Sequence, residues 1–466
     1  MTAERVHAFT DDALGDHDAV ELAARVRRGE VSPAELAKAA VARAERVTAL
    51  NAVVHSVYEN PRHGQDPEAP LFGVPTFVKD NTDLRGMPTN HGTEAFVARP
   101  AKVDSRYASQ FVSTGVTVLG KSRMPEYGFN ATTEYANADP VRNPWNPEYS
   151  VGASSGGSAA LVAAGVVPLA HANDGGGSIR IPAACAGLIG LKPSRGRHLD
   201  GEEAAHLPIK IISEGVVTRS VRDTAAFIAA QEDHWRNPAL PPIGLVHGPA
   251  RRRLRIGLIT ESVTGAVLDA PTRAAVERTA TLLEKQGHVV TPVTLPVDET
   301  FASDFTLYWG MLAAFAAGTG KLLVDRSYDR TKLDGLTLGL RAHYLRNLRH
   351  TPAALRRLSR VKHAHAKLFQ RHELMLSPVL AHSVPKLGHI SPAVPFDTLI
   401  DRLLHYVAFT PMDNVAGNPA ISLPMGQTDD GLPVGVQLSA AHGDERSLIE
   451  TAFELEQQQA WRRIQD

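Results

Sequence analysis

With 466 residues, 43% hydrophobic and 21% charged, the chain has the balance of an ordinary globular protein, and its length allows one large domain or two. Lys+Arg 49 against Asp+Glu 50 leaves a net charge of -1, which excludes an overall basic surface for nucleic acid; the run Arg251-Arg252-Arg253 reads as a solvated loop. The single cysteine, Cys185, excludes an internal disulfide framework, and no run is long and apolar enough to span a bilayer. The N-terminal stretch MTAERVHAFTDDALGD lacks an apolar signal core, so a cytoplasmic location is expected.

Residues 17–50 read as two helices. Ser32-Pro33-Ala34-Glu35 starts the second: Ser32 can cap, Pro33 suits the first turn, and Glu35 can close a capping box. Gly73 to Asp80 reads as a strand that ends in Lys79. An ammonium at the end of an apolar strand either emerges at the surface, pairs with Asp80 or Asp83, or is buried at a cost that depresses its pKa. Ser105 to Gly115 is expected to be helical and Val116 to Leu119 a strand. Residues 115–122, GVTVLGKS, match the phosphate-loop pattern, but the four intervening residues are three β-branched residues and a leucine. Such a run is a buried strand, not an irregular loop whose N–H groups converge on phosphate.

Met124 to Pro147 is a long loop-rich stretch, of a kind that often carries function. Two Gly/Ser clusters follow, Gly152 to Ser158 and Gly175 to Ser178. A helix is expected over Gly156 to Gly165, a strand over Val166 to Ala172, and a second helix starting at Ser178. Leu254 to Thr260, Ala270 to Gln286 and His288 to Leu295 read as strand, helix and strand. Residues 298–375 are mostly helical, and Ser377 to Pro395 is loop-like. Ala420 to Met425 and Val434 to Ser439 pair around Asp429-Asp430-Gly431, and a helix over Asp444 to Gln459 closes the chain. No repeat or low-complexity linker divides the sequence. The expectation is an α/β fold in a single large domain, 1–466, with N-terminal helices over 17–50, a core over 70–200, a helical region over 298–375, and C-terminal strands and a helix over 405–460.

Three readings compete for the serines. Gly152-Ala153-Ser154-Ser155-Gly156 fits a nucleophile elbow, which makes Ser154 the nucleophile of an α/β-hydrolase-like esterase; the elbow needs a strand directly before the serine, and Asn143 to Ser150 reads as a Pro-rich loop. The clusters can instead be tight turns without chemistry. The third reading is a serine activated by a neutral lysine. Cys185, among alanines, reads as small core packing. Neither HEXXH nor clustered Cys/His ligands occur, so no metal or cofactor is expected.

Three segments resemble the amidase signature family: GVPTFVKDN, GASSGGSAALVAAGVVPLAHANDGGGSIRIPAACAGLIGLKPSRGR, and the C-terminal FTPMDNVAGNPAISLPMGQTDDGLPVGVQL. The resemblance covers almost the whole chain and implies a central mixed β-sheet covered by helices on both faces. It also implies Lys79 as base, Ser154 (held by a cis peptide) as proton relay, and Ser178 as nucleophile, with an oxyanion hole from the backbone N–H groups of Gly175, Gly176, Gly177 and Ser178. Ser155, Asp174 and Arg180 are implied as supports, although Asp174 and Arg180 also read as an ordinary loop ion pair. Asn173 departs from the family's usual Thr.

The implied activity is hydrolysis of carboxylic amides, extending to esters or carbamates, and AHANDGGGSIRIPAA is more similar to members that act on aryl, linear or cyclic amides than to the tRNA-linked members; the partner implied is a small-molecule amide, with no nucleic acid or membrane and a homodimer left open. The alternatives are an amidotransferase A-type subunit that releases ammonia from glutamine or asparagine, and a non-catalytic scaffold. Pocket walls are expected from Met124 to Thr133, around Tyr308 and Trp309, and from Ser377 to Leu404.

Overall fold

The computed structural model describes residues 5–201, 204, 207–297 and 300–466; the first residues of the stretch read for a signal core and residues 298 and 299 of the expected helical region lie outside these. The N-terminal helices α1 (Ala19–Arg27) and α2 (Pro33–Arg46) form as their signals direct, and the Ser32–Glu35 capping box is made in both directions. Three strands, β1 (Val53–Ser56), β2 (Pro75–Lys79) and β3 (Thr117–Ser122), build a small sheet in the order β1-β3-β2, with α3 (Arg106–Val112) between β2 and β3 in sequence. The glycine-lysine-serine end of the phosphate-loop look-alike is strand throughout: Lys121 is buried in β3 and donates to the Thr82 carbonyl at 2.5 Å.

The loop-rich stretch contains a two-stranded hairpin, β4 (Arg142–Asn143) with β5 (Asn146–Ser150), which the prolines concealed. Then come α4 (Gly156–Ala163), β6 (Leu169–Asp174), α5 (Arg180–Ala186), β7 (Ile189–Lys192), β8 (Ser213–Thr218) and α6 (Val221–His234). The rest of the chain adds β9 (Arg255–Leu258), α7 (Ala270–Lys285), β10 (Val289–Pro292), and the helical run α8 (Thr300–Leu323), α9 (Gly335–Asn347) and α10 (Thr351–Ala366). It ends with β11 (Leu374–Pro378), α11 (Phe396–Tyr406), α12 (Pro411–Ala416), β12 (Ala420–Gln427), β13 (Pro433–Ala440) and α13 (Glu445–Gln458).

Eight strands form the large mixed sheet, in the order β10-β9-β11-β13-β12-β7-β8-β6. Its β10-β9-β11 end is parallel and the remainder antiparallel. Strand β11 was concealed by its place at the junction of a helical region and a proline-rich loop; all five of its residues are buried, so it shows no alternation to read. The small sheet lies beside the β6 edge, where the Thr76 hydroxyl donates to the Leu169 carbonyl at 3.1 Å and the Lys79 N–H to His171 Nδ1 at 3.1 Å. This brings the ends of β2 and β6 together.

Candidate active site

Lys79 closes β2 with its side chain fully buried, so neither surface emergence nor pairing with Asp80 or Asp83 describes it. Its Nζ lies 2.7 Å from Ser154 Oγ and 2.6 Å from Asn173 Oδ1. Burial lowers its pKa from 10.5 to about 7, against the opposing pull of Glu214 and Asp174, so a large neutral fraction exists near pH 7. A fixed tautomer backs the strand. His171 Nδ1 accepts from the Lys79 N–H, so Nε2 carries the proton and donates to Glu214 Oε2 at 3.1 Å. Burial also lowers the His171 pKa, with Glu214 opposing, which keeps the ring neutral.

Ser154 follows a cis Ala153–Ser154 peptide and is only 3% exposed. Gly128, at φ +70°, passes directly over it: a Cβ there would stand 2.9 Å from Ser154 Oγ. The expectation of a loop before Ser154 is corrected, because β5 does precede it. That strand pairs with β4 and belongs to neither larger sheet, and the Ser154 hydroxyl faces a lysine. Ser155, next to it, donates from its hydroxyl to the Asn173 carbonyl at 3.3 Å and ties the two Gly/Ser clusters together.

Ser178 lies in a turn two residues before α5, not in the helix, whose first residue is Arg180. The reason is Asp174. Its Oδ1 accepts from the Gly177 N–H at 2.7 Å, and its Oδ2 accepts from the N–H groups of Ile179 at 3.2 Å and Arg180 at 3.4 Å. The carboxylate therefore answers the positive end of this short helix. The Gly177 N–H, one of the four donors expected for an oxyanion, is thus committed to Asp174. The Gly177 φ of +134°, and the 2.4 Å that would separate a Cβ from Thr410 Oγ1, explain why only glycine fits there. Thr410 Oγ1 donates to the Gly176 carbonyl at 2.6 Å. The N–H groups of Gly175, Gly176 and Ser178 have no partner among the described residues, and these three residues line the same cavity as Ser154.

Arg180 is fully buried and anchors the turn. It contacts Asp174 at 2.9 and 3.1 Å, Asn414 Oδ1 at 2.7 Å, Gln437 Oε1 at 3.0 Å, the Thr410 carbonyl at 3.0 Å and Asp413 at 3.4 Å. Burial works against the charge on Asp174, but Arg180, Lys192 and Asn414 outweigh it and hold the carboxyl well below the usual carboxylate range. Cys185 packs in the core, where burial pushes its thiol up to about 12. Among the described residues no cluster of His, Cys, Asp or Glu could hold a metal ion, and no helix is long and apolar enough to cross a membrane.

The cavity above Ser178 has a volume of about 150 Å³. Met124 and Tyr127 to Ala131 line it as expected. Tyr308 does not: it is buried, and its hydroxyl donates to the Ile209 carbonyl at 2.7 Å. Of Ser377 to Leu404 only Leu403 and Leu404, in the last turn of α11, reach it; Ser377 and Pro378 are buried in strand β11. The walls that sequence reading missed are the Phe301, Phe305 and Leu312 positions of α8 and the Ile211-Ile212 pair. Asn173 was also missed as a partner of Lys79; its departure from the family's Thr was the available signal.

A family model described as Amidase matches residues 35–449. AmiC of Mycobacterium leprae (strain TN), which carries an amidase name, is 48% identical over 466 residues, covering 99% of each chain. A 6-aminohexanoate-cyclic-dimer hydrolase of Pseudomonas sp. (strain NK87) is 33% identical over 487 residues, with 95% of each chain covered. The solved structure of a 6-aminohexanoate cyclic dimer hydrolase superposes with a TM-score of 0.86 at 30% identity, covering 98% of this chain and 99% of that one.

Proposed function

The chain belongs to the amidase family, hydrolases of non-peptide carbon–nitrogen bonds, and we propose that it cleaves carboxylic amides through an acyl-enzyme on Ser178, with Ser154 relaying protons to and from Lys79. The observation that carries this reading is the fully buried Lys79 amine 2.7 Å from Ser154 Oγ, with Ser154 sharing one cavity with Ser178.

Neutral Lys79 takes the Ser154 proton as Ser154 takes the Ser178 proton, and Ser178 Oγ bonds to the amide carbon. The carbonyl oxygen gains the negative charge, and the uncommitted N–H groups of Gly175, Gly176 and Ser178 are the donors available to it. Collapse breaks the C–N bond. Ser154 protonates the departing nitrogen and is reprotonated by Lys79. Water then attacks the acyl–Ser178 ester, passes a proton back through Ser154, and frees the acid. Asp174 and Arg180 hold the turn, Ser155 links the two clusters, and Asn173 positions the Lys79 amine. The substrate proposed is a small-molecule amide, and the balanced charge offers no overall basic surface to nucleic acid. The likeness to a cyclic-dimer hydrolase puts cyclic amides among the first substrates to try.

A serine-directed fluorophosphonate tests the assignment. The adduct belongs on the peptide carrying Ser178, and an adduct on Ser154 would revive the elbow.

A further inference from the structure

Resting on the amidase reading, we infer that this site takes amides uncharged on both sides of the scissile bond, with an aryl or extended alkyl group lying along α8. Among the described residues, no Asp, Glu, Lys, Arg or His side chain lines the cavity. Most of its polar side chains are already engaged. Asn130 donates to the Ile390 carbonyl at 2.9 Å and accepts from the Ala131 N–H at 2.8 Å. The Tyr127 hydroxyl bonds that of Tyr328 at 3.0 Å, and Asn173 Oδ1 holds Lys79. What is left for a ligand, such as Asn81 and Ser178, is neutral.

The apolar side is ordered. Phe301, Phe305, Trp309 and Leu312 recur on one face of α8. The Phe301 and Phe305 rings stack at 6.2 Å and 17°, and Trp309 follows Phe305 at 6.2 Å. This stripe reaches the reacting centre at Phe305, because a Cβ on Gly176 would lie 3.4 Å from Phe305 Cζ. Leu403, Leu404 and Val407, at the end of α11, complete the apolar wall. A group attached to a carbonyl held at Gly175 and Gly176 therefore meets aromatic surface at once. A carboxylate or ammonium carried into it loses its hydration and finds no counter-charge. Glutamine and asparagine, zwitterions at neutral pH, are poor substrates on this ground.

The test is kcat/KM for matched amides differing in one charge: hexanamide and hexananilide against 6-aminohexanamide and adipic acid monoamide, with glutamine as zwitterion and Ser178→Ala as blank. The neutral members are expected to exceed the charged ones by about 100-fold or more, the scale on which buried unpaired charges discriminate. Leu312→Asp, at the far end of the stripe, is expected to recover about tenfold for 6-aminohexanamide and nothing for adipic acid monoamide. Equal or faster turnover of the charged members overturns the inference. So does failure to hydrolyse any neutral amide while an alkyl fluorophosphonate still labels Ser178, an outcome that leaves the catalytic reading intact. Absence of label on Ser178 defeats the catalytic reading itself.

Discussion

Replacing Lys79 by Met is expected to abolish activity and yet stabilise the protein below neutral pH. The folded state holds this amine at a pKa of about 7, whereas the unfolded chain restores 10.5. Between these values the unfolded state binds more protons, so stability rises with pH through that window and is flat in this group below it. The cost of burying the amine is thus fully present at pH 6, at about 5 kcal/mol, and has fallen to about 1.4 kcal/mol by pH 9.5, at 1.36 kcal/mol per pH unit. Met keeps an unbranched apolar stem in the cavity. It leaves Ser154 Oγ and Asn173 Oδ1 without the amine, a loss of about 1–3 kcal/mol. Lys79→Met should therefore be more stable than the wild type by about 2–4 kcal/mol at pH 6, with the advantage gone at pH 9.5. Urea unfolding of both proteins at the two pH values, followed by far-UV circular dichroism, measures it. The other titrating groups are common to both proteins, so the change in the difference reports on Lys79 together with its effect on His171, whose pKa the Lys79 charge also lowers. A difference that does not move with pH, or a Met variant less stable at pH 6, refutes the reasoning.

Amide hydrolysis should lose kcat/KM below about pH 7 as Lys79 protonates. Asn173→Asp sets a carboxylate against the amine and should carry that limb upward by about 1–2 pH units; a pH–rate profile with an unmoved limb removes Asn173 as a positioning residue. Asp174→Asn leaves the Arg180 guanidinium short of its main counter-charge in a dry site and should cost about 3–5 kcal/mol. A loss in denaturant unfolding below about 1 kcal/mol would mean that Asp413, Asn414 and Gln437 suffice to hold Arg180.

The α/β class and the separate strand and glycine-rich clusters were legible because their signals are local, whereas their union in one site was implied only by the resemblance to the amidase signature family. An apolar run ending in Lys79, two glycine-rich clusters and a capping box are each read within a few residues. The partners that fix those segments were not legible. His171 bonds Glu214 from the paired strand β8, 43 positions on, and Arg180 is gripped by residues more than 200 positions away. Such contacts depend on strand order in the large sheet, which no local pattern encodes. The helix start was misplaced for a related reason. Ser178 precedes a good helical pattern, but the Asp174 carboxylate, four residues back, takes the first N–H groups and delays the helix to Arg180. The aromatic stripe of α8 follows a simple i, i+4 spacing, but its apolar face alone does not say whether it packs on the core or opens on a cavity.

Ser178, and not Ser154, is expected to carry the acyl group. Acid-quenching the enzyme during turnover of a slowly deacylating anilide or aryl ester, then mapping peptides by mass spectrometry, tests it directly. The mass of the substrate's acyl group is expected on the peptide containing Ser178 and is expected to be absent in Ser178→Ala. An acyl group on Ser154, or undiminished acylation of Ser178→Ala, would contradict it.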